Sequence, residues 1–234
     1  MNKSRILLCS ALALLLGSSP CHLPAGQGGG PPGPASDTLK PVTTAEATPD
    51  ELGFIRRWVI LEPIAIGNQQ TENAGKAVVK AEYFPNQFTV VPKHGDKVTV
   101  RDNELTWHAV DTIHYNVNLY HFAFRRDKSS ASALFWAVTV VNCPQEMPNV
   151  RLAIGSNASS IWWVNGKEVA GVYGDILTVI DDGVSRPLTL KKGPNVIRGA
   201  IINGSGASDF CARFLDKDGK PLKGFTVSAG DAAK

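Results

Sequence analysis

Ser160-Ile161-Trp162-Trp163-Val164-Asn165-Gly166-Lys167-Glu168-Val169 (SIWWVNGKEV) is the stretch on which the reading of this chain turns. It is β-branched and aromatic as far as Val164, turns on Asn-Gly, whose residues accept the positive φ of a two-residue hairpin, and resumes with Lys-Glu-Val. Side chains alternate along a strand, so Trp162 and Val164 share one face while Ile161, Trp163 and Asn165 share the other. One indole is expected in the core of a sandwich and the other facing outward or beneath a loop, on a strand covered from both sides.

Runs of similar character surround it. Phe54–Leu61, Phe88–Val91, Lys97–Arg101, Ala133–Val141 and Val150–Ile154 precede it, and Ile176–Ile180, Pro187–Leu190, Asn195–Ile202, Phe210–Leu215 and Gly224–Val227 follow. Each is bounded by Gly, Pro, Asn or Asp, and no segment carries a sustained apolar period of 3.6 residues over helical length. Lys192-Gly193-Pro194-Asn195 and Asp218-Gly219 read as tight turns. The pattern predicts an all-β chain folded as an antiparallel β-sandwich.

The N-terminal part differs in kind. Residues 1–25 read as a signal peptide, with Lys3 and Arg5 ahead of the apolar run ILLCSALALLLG, which is short for a membrane span. A lipid anchor at Cys21 is an alternative, because a Gly/Pro tether follows it, although Pro20 fits the lipidation signal poorly. Residues 26–50 have linker composition, 51–228 form the sandwich domain, and 229–234 a flexible tail. No later segment is apolar enough to cross a membrane. The protein is expected to be exported to the periplasm, the cell surface or the medium. The formal net charge is +3, and loss of Lys3 and Arg5 leaves 3 − 2 = +1, so nothing favours nucleic acid or an anionic membrane surface.

The order of Trp58-Val59-Ile60-Leu61-Glu62-Pro63, Leu105-Thr106-Trp107, Val150 to Asn157, Trp163-Val164-Asn165-Gly166-Lys167-Glu168-Val169, Leu190-Lys191-Lys192-Gly193-Pro194-Asn195 and Phe210 to Leu215 resembles galactose-binding-like jelly-roll domains. It is similar in particular to the accessory and sugar-binding modules of bacterial glycoside hydrolases and esterases. The resemblance covers nearly all of residues 53–227 and implies a jelly roll and a carbohydrate ligand. Many relatives carry an acidic residue near Asn157, where this chain has Ser156-Asn157-Ala158. That fold hosts sugar binders, protein binders and spacers alike.

For a sugar site, an aromatic ring must cover the apolar face and fixed polar groups must select hydroxyls. Trp107 with Tyr120 and Tyr173 is the expected platform, His108 and Asn157 or Asp175 the expected polar contacts, and Trp163 the alternative ring. His108, Asp111, His114 and His121 lack the tight spacing of a transition-metal site. Asp181-Asp182-Gly183 and Asp216-Lys217-Asp218-Gly219 lack the closing glutamate of a calcium loop, and no cofactor is expected. No nucleophile elbow is present, and no pair of acids is marked out, so nothing commits the chain to catalysis. With Cys9 in the signal and Cys21 near its end, Cys143 and Cys211 remain in an oxidising compartment and are expected to form a disulfide. Three functions stay open: a carbohydrate-binding module, a module that docks another envelope protein, and a small hydrolase.

Overall fold

A computed structural model of the chain describes residues 38–67, 72–157, 159–174, 177–204 and 208–230. The expected signal peptide, Cys21, residues 26–37 of the expected linker, Asp175 and residues 231–234 lie outside the described residues.

In chain order the described residues form β1 (Leu39–Pro41), β2 (Arg57–Leu61), β3 (Ile64–Ala65), α1 (Glu72–Lys80), β4 (Lys97–Val100), β5 (Asn103–Thr112) and β6 (Val117–Asn118). Then come α2 (Leu119–Phe124), β7 (Ala133–Cys143), β8 (Met147–Ser156), β9 (Ser159–Val164), β10 (Lys167–Val172), β11 (Gly183–Val184) and β12 (Leu188–Leu190). The last three are β13 (Gly193–Asn203), β14 (Asp209–Leu215) and β15 (Thr226–Ser228). Every ladder is antiparallel. The large sheet runs β1-β5-β2-β7-β13-β9-β10, with β15 and β3 also on β7 and β4 on β5. The small sheet runs β11-β8-β14-β6, with β12 on β8. The protein is an antiparallel β-sandwich.

The two indoles part as alternation requires. Trp162 points between the sheets, where its ring lies 5.7 Å from Trp58 and 5.3 Å from Phe210 of the small sheet, while Trp58 and Phe210 meet edge to face at 5.2 Å. The indole folds across the cross-strand partner Gly199, where a Cβ would approach the ring to 2.6 Å, so glycine is required there. Trp163 points the other way, into a second apolar layer with Trp107, Trp136, Val59 and Val138. That layer is roofed by Val79 of α1 and by Phe84 and Phe88 of the following loop.

The two motifs that carry the family resemblance meet in space. Asn165 (φ 51°) and Gly166 (φ 79°) make the β9–β10 turn. The Asn165 side chain accepts from Val196 N and donates to Asn195 Oδ1, both at 2.9 Å. Asn195, buried, bonds both the N–H and the carbonyl of Lys191 across its own turn. Asp216 accepts from the backbone N–H groups of Asp218 and Lys220, which makes that acidic stretch a turn.

Several expectations are corrected. Residues 38–50, expected in the linker, belong to the fold: β1 pairs with β5, Leu39 is buried, and Ala47 bridges to Val227. The composition of this arm hides its role, because it contributes backbone pairing and caps Arg57. That guanidinium is 2% exposed, holds Asp111 in a two-point pair at 2.8 Å, and donates to the carbonyl and hydroxyl of Thr44. The expected disulfide is not formed; both thiols are free and buried. Phe210, Ala212 and Phe214 of β14 face the sandwich core, so Cys211 between them faces away, whereas Cys143 joins that core from β7. Phe88–Val91 is a turn and loop and not a strand, and the full length of β5 and both helices are elements that the apolar pattern does not mark.

Removing residues 38–50 should therefore cost on the order of 3 kcal/mol, from the burial of Leu39 and the lost Thr44 bonds. Thermal unfolding of a chain starting at Glu51 against one starting at Gly26 measures this; equal melting temperatures would show the arm to be dispensable.

Candidate binding cleft on the outer face of the large sheet

The outer layer is assembled from α1, which no apolar periodicity marks, and from the stretch around Phe88–Val91, which reads as a strand and folds as a turn and loop. Helix α1 is only two turns long and lays Val79 on the sheet. The chain beyond it is shaped by Gln87, 1% exposed, whose amide donates to Ala81 O at 2.8 Å and accepts from Tyr83 N at 2.9 Å. Arg198, on β13, then ties that loop to the sheet by donating to the carbonyls of Phe88 and Val90. It is 2% exposed, no carboxylate reaches it among the described residues, and burial lowers its pKa from 12.5 to about 10.

Where this roof ends, a cavity of about 310 Å³ opens between α1 and the β9–β10 hairpin. Lys76, Val79 and Lys80 of α1 form one wall, Phe88 a second, and Ile161, Trp163 and Glu168 the floor and far side. Trp163 rests on Trp136, ring centres 5.8 Å apart at 27°, and meets Phe88 at 5.8 Å. Glu168 is its cross-strand partner, next to a register shift between Glu168 and Ala170 that bends the edge strand. Beside the cavity, the Lys76 ammonium sits 4.9 Å over the Tyr173 ring. Tyr173 folds back across β10 because position 171 is glycine; a Cβ there would lie 2.7 Å from the phenol oxygen.

The expected platform is thus divided. Trp107 is fully buried in the outer layer against Phe84, so it is a core residue and not a stacking surface. Tyr120 lies on α2, stacked on Phe124 at 6.1 Å, and does not join Trp107. His108 faces opposite to Trp107, with Nε2 3.2 Å from Glu62 Oε1 and its ring 5.9 Å from both Phe122 and His94. Asn157, 7% exposed, is used structurally, bonding the backbone of Asp209 through both its N–H and Oδ1. Of the expected residues, Trp163 and Tyr173 come together at the cleft, and Asp175 lies outside the described residues. Lys80, Phe88 and Glu168 went unread, since the alternation in β10 marks Glu168 only as one exposed acid among many.

A larger cavity, about 700 Å³, lies beside Phe225. Its polar groups are engaged locally: Lys223 caps the carbonyls of Asp50 and Glu51, and Glu46 accepts from Asn142. Among the described residues no cluster of three His, Cys, Asp or Glu could hold a metal ion, and no helix is long and apolar enough to cross a membrane.

No family model and no curated protein matches the sequence. Among solved structures, the PA14 sugar-binding domain from an RTX adhesin aligns over 74% of this chain and 99% of its own length, at 13% identity and TM-score 0.45. The PA14 domain of the MpAFP antifreeze protein aligns over 82% and 98%, at 10% identity and TM-score 0.44. A β-glucosidase from Kluyveromyces marxianus aligns over 53% of this chain and 16% of that one, at 21% identity and TM-score 0.35. All are distant from this chain in sequence and shape.

Replacing Arg198 with methionine leaves two carbonyls without a donor and should loosen the roof by on the order of 2 kcal/mol. The expected result is a red-shifted tryptophan emission and faster amide exchange across residues 81–92; unchanged exchange would mean that apolar packing alone holds the loop. A second expectation concerns pH. Burial first, and Arg126 after it, lower the His108 pKa below 6.5 despite Glu62. The unfolded chain binds this proton more tightly, so the stability linked to His108 is intact above its unfolded pKa and is lost as pH falls through that value towards the folded one. His108→Gln should flatten this acid limb in urea titrations as pH falls through and below 6.5; a limb as steep as wild type would assign it to other groups.

Proposed function

We propose that the chain is an exported, non-catalytic carbohydrate-binding β-sandwich, in keeping with the galactose-binding-like resemblance of its motifs, and that its ligand occupies the cleft between α1, Phe88 and the β9–β10 hairpin. One observation carries this reading: the cleft joins aromatic rings, Trp163 and Phe88, with an exposed carboxylate, Glu168, and an exposed ammonium, Lys80. A pyranose needs both kinds of surface, rings for its C–H face and charged groups that bond pairs of hydroxyls.

An exposed apolar ridge favours a second reading, a module that docks another envelope protein. Leu177 is 82% exposed and Val179 52%, with Ile180 and Val184 beside them in sequence also exposed. Such a run is uncommon on a free surface.

The test is a glycan array with the protein from Gly26, alongside Glu168→Ala and Lys80→Ala. Both side chains are exposed, so these variants should melt within a degree or two of wild type while losing about tenfold or more in glycan affinity. Glycan binding that survives both substitutions would move the site away from the cleft, and an array blank for the wild type would favour the docking reading.

A further inference from the structure

A second cavity on the outer side of the large sheet, about 300 Å³, lies against the β4–β5 hairpin. Its inner surface is apolar, made by Ile64, Val100 and Leu105, each no more than 5% exposed. Its mouth carries two cations, Arg101 from the hairpin turn and Lys128 from the loop after α2. Neither has an ion-pair partner among the described residues. Glu104, the acid that also lines the cavity, is held by Lys97 across the hairpin at 2.6 Å. The Tyr83 phenol is within electrostatic reach of Arg101, and burial raises its pKa, so it stays neutral and leaves the charge uncancelled.

The backbone adds an independent observation. Val100 pairs with Asn103, so Arg101 and Asp102 form a two-residue turn, and Arg101 has φ 54°. Two-residue hairpins ordinarily put glycine or asparagine at such a position, because a Cβ is strained there. Arg101 thus stands at the mouth of a cavity in a conformation that a side chain disfavours, so the turn itself gives no reason for an arginine there.

We propose that this cavity is a second binding site, for a small carboxylate with an unbranched apolar tail, the head held between Arg101 and Lys128 and the tail on Ile64, Val100 and Leu105. Arginine meets a carboxylate through a planar two-point fork, and the apolar inner wall takes the tail. The site is distinct from the saccharide cleft and shares none of its residues.

The probe is octanoate, with octylammonium and octanol as matched controls, titrated into the protein from Gly26 by calorimetry and by amide chemical shifts. Octanoate should bind at least about tenfold more tightly than either control and shift the amides of Val100 and Leu105. Arg101→Gly should weaken octanoate by a similar factor while its melting temperature holds or rises, and Lys128→Met should weaken it as well. Equal affinity for octylammonium, shifts confined to other regions, or unaltered octanoate binding by Arg101→Gly would each overturn the proposal. So would a fall in melting temperature for Arg101→Gly, because the arginine would then serve the turn.

Discussion

One buried guanidinium holds the roof on the large sheet. Arg198 sits on β13, paired with Val138 on one side and Trp163 on the other, at the centre of the sheet's outer face. That face is apolar and must be covered, yet its cover is a two-turn helix and an irregular loop whose carbonyls have no ladder to join. Burying polar backbone without partners costs more than ordinary packing returns. Arg198 resolves this by carrying donors up from the sheet. Its charge is desolvated in the process, which the depressed pKa records, and two charge-assisted bonds offset that cost.

The second core fixes where a ligand can enter. On the sandwich side, the Trp58, Trp162 and Phe210 rings close the space between the sheets. On the other side, the roof stops short of β10, the edge strand, and at that boundary the half-buried Phe88 ring lies beside Trp163, of which only 9% is exposed. A sheet with a complete roof would have no cleft there, and one without a roof would present only a flat surface. The short helix, the Arg198 tether and the bend at Glu168 together produce a concavity where the sheet ends.

Much of the fold was legible because its strongest signals are local. The Asn165-Gly166 turn, the opposite facing of Trp162 and Trp163, and the long apolar runs of β7 and β13 follow from alternation and turn chemistry within a few residues. β5 was not legible, because Glu104, His108 and Asp111 interrupt its apolar character; each of them finds its partner on another strand or loop. The platform assigned to Trp107 failed for a related reason. Alternation fixes which way a strand residue points but not whether a helix some thirty positions earlier will cover it. Likewise nothing in NVIRGAII sets Arg198 apart, and only the folded loop over it shows that its donors point into a buried layer.

The charged groups sort by what surrounds them. Arg57 is engaged by Asp111 and Thr44, and Arg213 is paired with Asp181 and bonded to Leu52 O, so these charges are spent on the fold. Lys80, Glu168, Arg101 and Lys128 differ on every count. They are exposed, they line concavities, and no ion pair engages them among the described residues. Charges of that kind add little to stability where they stand, since exposed ions are well solvated. Their effect grows only when a ligand displaces the water between them and the apolar wall behind them, because the same charge interacts more strongly as the local dielectric falls. Both cavities put an apolar surface directly behind such charges, so a ligand entering either one lowers the dielectric around groups that the fold itself leaves unneutralised.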